Sequence, residues 1–231
     1  MVERFSIGVT AASLEDRYKV EEPSFLPKYN GAPTQLFPVL TSKTPQGFSF
    51  FYWGVAPEWA KNKSMAERLI NVRAEQIAER PVLKKSLLNY RCIIPSDGFY
   101  AWKKVGKKTS IPWRIFPKTK SILSIAGFWE EYDDEEGSSF HTFTIITQAS
   151  SAFAATITER MPLYLSKEKE KIWLDKNSEE SVLLKLIQQP EPPELDGFTV
   201  SPQLSNVAFD KPSLHLPMPA ADQYGNLTLF N

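Results

Sequence analysis

A single cysteine, Cys92, stands among 231 residues, which excludes an internal disulfide and fits a reducing compartment. Histidine is nearly as scarce. His141 and His215 lie far apart in the chain, so there is no ligand set for a structural zinc site, and no metal or other cofactor is expected. A glycine-rich phosphate loop, a G-x-S-x-G elbow and an EF-hand pattern are all missing. No run approaches the roughly 18 apolar residues that span a bilayer, and no apolar signal region follows the N-terminus. These absences predict a cytoplasmic protein without a membrane partner. Net charge is missing too: 27 Lys and Arg balance 27 Asp and Glu, so any nucleic-acid site must come from local charge asymmetry.

What is abundant is apolar surface, at 42% hydrophobic and 13% aromatic residues, ample for a packed core. Eighteen prolines against ten glycines argue for many short elements. The stretch Arg91 to Lys104 is the natural centre: β-rich runs at 91–95 and 98–104 flank Ser96-Asp97-Gly98, a hairpin or bend signal. Further strands are expected at 1–9, 35–41, 48–54, 111–116, 122–129, 140–147 and 198–201, with the consecutive aromatics Phe50 to Trp53 buried on both faces. A polar turn is expected at 29–34. Helices are expected from a Ser13 cap, over 65–80, and at 82–89, 150–157, 167–174 and 178–189. From Val207 the proline-rich chain reads as a surface-wrapping tail. The whole predicts one α+β domain over residues 1–231, with a mixed or antiparallel sheet or open barrel core and peripheral helices.

Few residues carry chemistry by spacing alone. Asn71, Arg73 and Glu75 would share one face of a strand but would spread around a helix, and the spacing by itself favours an ordinary helix start. Cys92 in an apolar strand reads as a buried small residue. The Lys103 to Lys108 turn beside Trp102 and Trp113 is either a phosphate-contacting rim or a solvated tip. Glu159 to Pro162 is a charged bend.

Taken in order, these pieces form a pattern: Arg4-Phe5, Tyr29-Asn30-x-Ala32-Pro33-Thr34, Trp53-Gly54 to Trp59, Asn71-x-Arg73-Ala74-Glu75, Arg91-Cys92 to Trp102, Ala126-Gly127-x-Trp129, Thr142 to Thr147, Arg160-Met161-Pro162 and Val200-Ser201. The pattern resembles the SRAP (SOS response-associated peptidase) domain family of abasic-site-processing proteins, from residue 2 to about 210. The resemblance implies the SRAP fold and single-stranded or gapped DNA, with or without abasic sites, as partner. It also implies a reaction in which the initiator Met is removed and an N-terminal Cys closes a thiazolidine with the abasic aldehyde. A Glu and a His assist, and an Asn orients the reacting end.

This chain departs at three of those four positions. The Cys position is Val2, the Glu position Ala101 and the His position Thr158; only Asn71 keeps the family residue. Glu3 replaces a glycine beside them. Valine has no thiol, and neither alanine nor threonine shuttles a proton near neutral pH. A degenerate member is therefore expected, one that keeps a DNA-binding frame of Arg4, Trp53, Asn71, Arg73 and Arg160 but makes no stable cross-link. Two alternatives stay open. With Met1 removed, a free Val2 α-amine, with a pKa of about 7.7–8.0, could form an imine and promote strand cleavage, or the cleft could serve a ligand other than DNA.

Overall fold

The computed structural model describes residues 1–21, 23–54, 70–133 and 139–227. Its strands are β1 (Arg4–Ile7), β2 (Lys28–Gly31), β3 (Leu36–Thr41), β4 (Ser49–Trp53), β5 (Asn71–Arg73), β6 (Arg91–Ser96), β7 (Gly98–Lys104), β8 (Ser110–Pro117), β9 (Leu123–Asp133), β10 (Ser139–Ala149), β11 (Arg160–Pro162), β12 (Tyr164–Leu165) and β13 (Leu195–Thr199). Six α-helices join them: α1 (Ala11–Tyr18), α2 (Ala74–Ile77), α3 (Pro81–Asn89), α4 (Ala152–Ala155), α5 (Lys167–Leu174) and α6 (Glu180–Gln188). None of these is long and apolar enough to cross a membrane.

Strands β10, β4, β3, β6 and β9 pair in succession, and β9 pairs back to β10, so five strands close into a barrel. A second, antiparallel sheet runs β13-β8-β7-β1-β2. The α+β architecture with a mixed barrel sheet is as expected, with the barrel closed. Alternation along β6 shows how the layers divide. Cys92 and Ile94 join the core shared with Phe5, Ile7 and Phe99 of the second sheet, while Ile93 between them faces Leu87, Trp173 and Leu183 of the helices.

The 96–98 signal is a bend, because β6 and β7 belong to different sheets. Asp97 anchors the crossing: Ser6 Oγ donates to its Oδ1 (2.5 Å), the Gly8 N–H to its Oδ2 (3.1 Å), and Arg114 Nη2 to its carbonyl (3.1 Å). At Gly98 a Cβ would stand 2.7 Å from the Ile115 carbonyl oxygen of the neighbouring strand β8, so only glycine lets β7 start this close to it.

Several sequence expectations shift. The cap of α1 is Thr10, whose hydroxyl accepts from the Ser13 N–H, because the helix starts a turn earlier than its charged stretch advertises. The polar turn at 29–34 begins as strand β2. In β4 only Phe51 and Trp53 are buried, as period-two alternation dictates, and Phe50 is 36% exposed. Of the helix expected over 65–80, residues 71–73 are strand β5 and only 74–77 are helical; its first residues, like Trp59, lie outside those described. Helix α4 is shorter than expected, α6 begins at Glu180, and the last strand is at 195–199, three residues early.

The tail is fixed in place. Asp210 Oδ1 accepts from the N–H groups of Tyr29 and Asn30 (2.6 and 2.9 Å), and Asn30 Nδ2 donates to the carbonyls of Leu204, Asn206 and Phe209. Buried Leu214 completes the contact. These bonds explain why a polar segment is a strand: its edge is covered by the tail. Replacing Asp210 by Ala removes two charge-assisted bonds and is expected to cost about 2 kcal/mol. Thermal unfolding would report a midpoint lower by about 4–8 °C, and a change below about 1 °C would show that the tail is held otherwise.

Candidate functional site

Strand β10 gathers the site. On one edge it pairs in parallel with β4 and then β5, setting Asn71 opposite Ile145 and Arg73 opposite Thr147. On its other edge β11 sets Arg160 opposite Ala149. Segments nearly ninety residues apart in sequence thus meet at one end of a single strand. The strand alternative is therefore realised for Asn71 and Arg73 alone, and Glu75 lies in helix α2, which starts directly after them at Ala74. Chain direction decides this: residue 70 already bonds into the barrel, its carbonyl accepting from the Ile145 N–H (3.1 Å) and from Trp53 Nε1 (2.9 Å).

The N-terminus enters the same place. Pairing of Arg4 with Tyr100 brings the residues before β1 beside Ala101. Val2 is buried and packs in one apolar cluster with Ala101 and Ile157. Asn71 Nδ2 donates to the Val2 carbonyl oxygen (2.7 Å), so the amide grips the main chain of residue 2 whatever its side chain. Among the described residues, the buried Asn71 Oδ1 has no hydrogen-bond partner. Ala101 pairs across the sheet with Trp113, whose ring packs on Phe153 of α4. Thr158, just beyond α4, turns its hydroxyl to the Arg160 carbonyl (3.3 Å). Val2 and Ala101 thus share an apolar cluster that Asn71 reaches by its hydrogen bond, and Thr158 adjoins it through Ile157. Those two side chains contribute methyl groups.

The expected DNA-contacting residues differ in availability. Arg73 is exposed. Arg4 is half-buried, its Nη1 donating to the Glu3 carbonyl (2.7 Å) and its Nε without a partner among the described residues; burial lowers its pKa. Arg160 is engaged by Glu75 through two parallel bonds of 2.8 and 2.9 Å, and its Nη2 also donates to the Thr147 carbonyl (2.6 Å). Trp53 is a correction: fully buried among Phe5, Phe37 and Phe143, it forms the floor and presents no face on which a base could stack. A row of aromatics in the sequence does not distinguish wall from platform; the pairing of Trp53 with Phe143 of β10 does.

The other residues singled out in the sequence lie outside this site. Cys92 is buried, which raises its thiol pKa well above the ordinary range. His141 stacks on Phe51. His215 packs against Tyr29 near Asp97, and burial lowers its imidazole pKa to about 4. The Lys103–Lys108 turn is largely exposed, with Lys103 over the Trp113 ring. Among the described residues no group of three or more His, Cys, Asp or Glu is placed to hold a metal. Sequence reasoning missed Glu75 as a partner of Arg160, for which the primary sequence holds no signal beyond opposite charge.

The closed mixed barrel thus brings Asn71 onto the main chain of Val2 and Glu75 onto Arg160. The chain matches the family model described as SOS response associated peptidase (SRAP) over residues 1–207, and it belongs to that family. Among its relatives, the abasic site processing protein YoqW of Bacillus subtilis (strain 168) is 32% identical over 220 residues, covering 93% of this chain and 98% of its own length. The abasic site processing protein YobE of the same organism is 36% identical over 182 residues, covering 78% and 83%. A crystal structure of a Bacteroides thetaiotaomicron protein shares the fold, with a TM-score of 0.79 at 24% identity over 93% of this chain and 99% of that one.

Proposed function

We propose that this chain binds abasic DNA, single-stranded or gapped, along a surface bounded by Arg4, Asn71, Arg73 and Arg160, and that it makes no stable thiazolidine with it. The observation that carries this reading is the 2.7 Å bond from Asn71 to the Val2 carbonyl: the frame that presents residue 2 is intact while its reactive side chain is gone. Ala101 and Thr158 fit the same account, since the two proton-transfer groups are absent together with the thiol. Partners are then held by phosphate contacts, which release counterions and make affinity fall steeply with salt.

Incubation with abasic single-stranded DNA is expected to give a salt-sensitive complex in a mobility shift and no band that survives boiling. A heat-stable adduct at Val2 overturns the loss of chemistry. Binding indifferent to salt would favour a cleft serving another ligand.

A second reading draws support from Asn71 Oδ1, a buried acceptor without a partner among the described residues, on the amide that holds residue 2. With Met1 removed, the Val2 α-amine would add its nitrogen to the abasic aldehyde and expel water to form an imine. Borohydride reduction would fix that imine as a secondary amine, and no trapped species removes this reading.

A further inference from the structure

Glu75 and Arg160 form a pair whose geometry bears on that same surface. Both guanidinium Nη atoms face the two carboxylate oxygens, the fork arrangement that a phosphate would otherwise adopt. The rest of the guanidinium is closed. Nη2 also donates to the Thr147 carbonyl, and to the Thr147 hydroxyl at 3.2 Å, while the buried Nε has no partner among the described residues. Exposure of the two side chains is unequal, 15% for Arg160 and 57% for Glu75, so the carboxylate is the outer member. A phosphate reaching Arg160 from solvent therefore meets Glu75 first. The hydrogen bonds from Arg160, with Arg73 nearby, also lower the Glu75 pKa, so the carboxylate is charged at neutral pH.

We propose that Glu75 is a competitor built into the DNA-binding surface: it occupies the phosphate-binding edge of Arg160 and so sets how tightly the chain grips a nucleic-acid backbone. This rests on the DNA-binding reading above. Strand β5 and helix α2 supply the device, since the turn from strand to helix after Arg73 leaves Arg73 exposed while Glu75, two residues on, reaches across to β11. Phosphate binding at Arg160 then requires Glu75 to swing away, and a backbone that cannot displace it is held by fewer contacts.

The test is a titration of full-length protein with fluorescently labelled abasic single-stranded DNA at several salt concentrations. Glu75→Gln is expected to tighten binding about fivefold at low salt, the scale of one partly exposed ion pair. The slope of log affinity against log salt should steepen by about 0.7, the increment of one phosphate contact on a single strand. Glu79→Gln removes the same charge from an exposed position four residues on and is expected to tighten binding less, without that change of slope. In an Arg160→Met background the Glu75→Gln gain is expected to vanish. Equal or weaker binding by E75Q, or a gain that persists without Arg160, overturns the proposal while leaving the DNA-binding reading intact. If neither the parent nor E75Q binds, that reading falls and the proposal with it. Should R160M fail to fold, the comparison of E75Q with E79Q decides alone, because both changes are at outward-facing carboxylates.

Discussion

A heat-stable adduct on abasic single-stranded DNA is expected when Val2, Ala101 and Thr158 are replaced together by Cys, Glu and His, against none for the parent. The expectation rests on what holds residue 2. Asn71 grips its carbonyl oxygen and not its side chain, so a cysteine there would be presented as the valine is now. Cysteine is also smaller than valine and enters the buried position without overpacking. With Met1 removed, its amine and thiol would condense with the aldehyde and expel one water. V2C alone supplies the nucleophile but no proton relay, and its adduct should form about 10²–10⁴-fold more slowly than that of the triple variant. Glu at 101 would lie beside Trp113 in a mostly apolar setting, which raises a carboxyl pKa toward the range useful for proton transfer near neutrality. Overpacking there is expected to cost about 1–3 kcal/mol, so folding of the triple variant is checked by circular dichroism. A folded triple variant that leaves abasic DNA unmodified would mean that these positions do not form one reactive unit.

Replacing Arg91 by Met is expected to produce the largest loss of stability of any single change considered. Arg91 is fully buried, and its guanidinium faces main-chain carbonyls on two helices. Nη1 donates to Leu87 and Leu88 at the end of α3 (2.5 and 2.6 Å), Nε to Trp173 in the last turn of α5 (2.6 Å), and Nη2 to Asp175 just beyond it (2.7 Å). Most of these are carbonyls that a helix C-terminus leaves unpaired, and two helix dipoles point their negative ends at the buried cation. Methionine keeps the apolar stem but removes the donor from the Leu87, Leu88 and Trp173 oxygens, at about 1–3 kcal/mol each before relaxation, while the Asp175 oxygen keeps the Ser178 N–H. A net cost of about 4 kcal/mol is expected, a large share of a total of about 5–15. Urea unfolding would show it as a lowered midpoint at unchanged slope. Lysine, with one nitrogen, cannot span both helices and is expected to recover only part. A loss below about 1 kcal/mol for R91M would mean that water replaces the guanidinium.

Much of this was legible beforehand because strands write themselves as alternation. The runs at 91–95 and 98–104, the β3–β4 pair and the long strands β9 and β10 all lie within a few residues of where apolar periodicity put them, since each strand buries a face that a one-residue slip would expose. Residues whose state is settled by distant partners were not legible. Tyr29 and Asn30 look like a turn until Asp210 and the tail carbonyls cover them. Asn71 to Arg73 look like a helix until β10 offers an edge. Trp53 looks like a stacking surface until Phe5, Phe37 and Phe143 enclose it.

The residues at 2, 71, 101 and 158 are read directly from the sequence, and with them the absence of a thiol, a carboxylate and an imidazole at 2, 101 and 158, because the presence of a chemical group does not depend on folding. Proximity does. Only the closed barrel carries Asn71 to Val2, and only the flanking of β10 by β5 and β11 brings Glu75 onto Arg160, eighty-five residues away. A hydrogen bond or ion pair needs its atoms within about 3 Å, and such distances between remote segments are fixed by which strand edges pair.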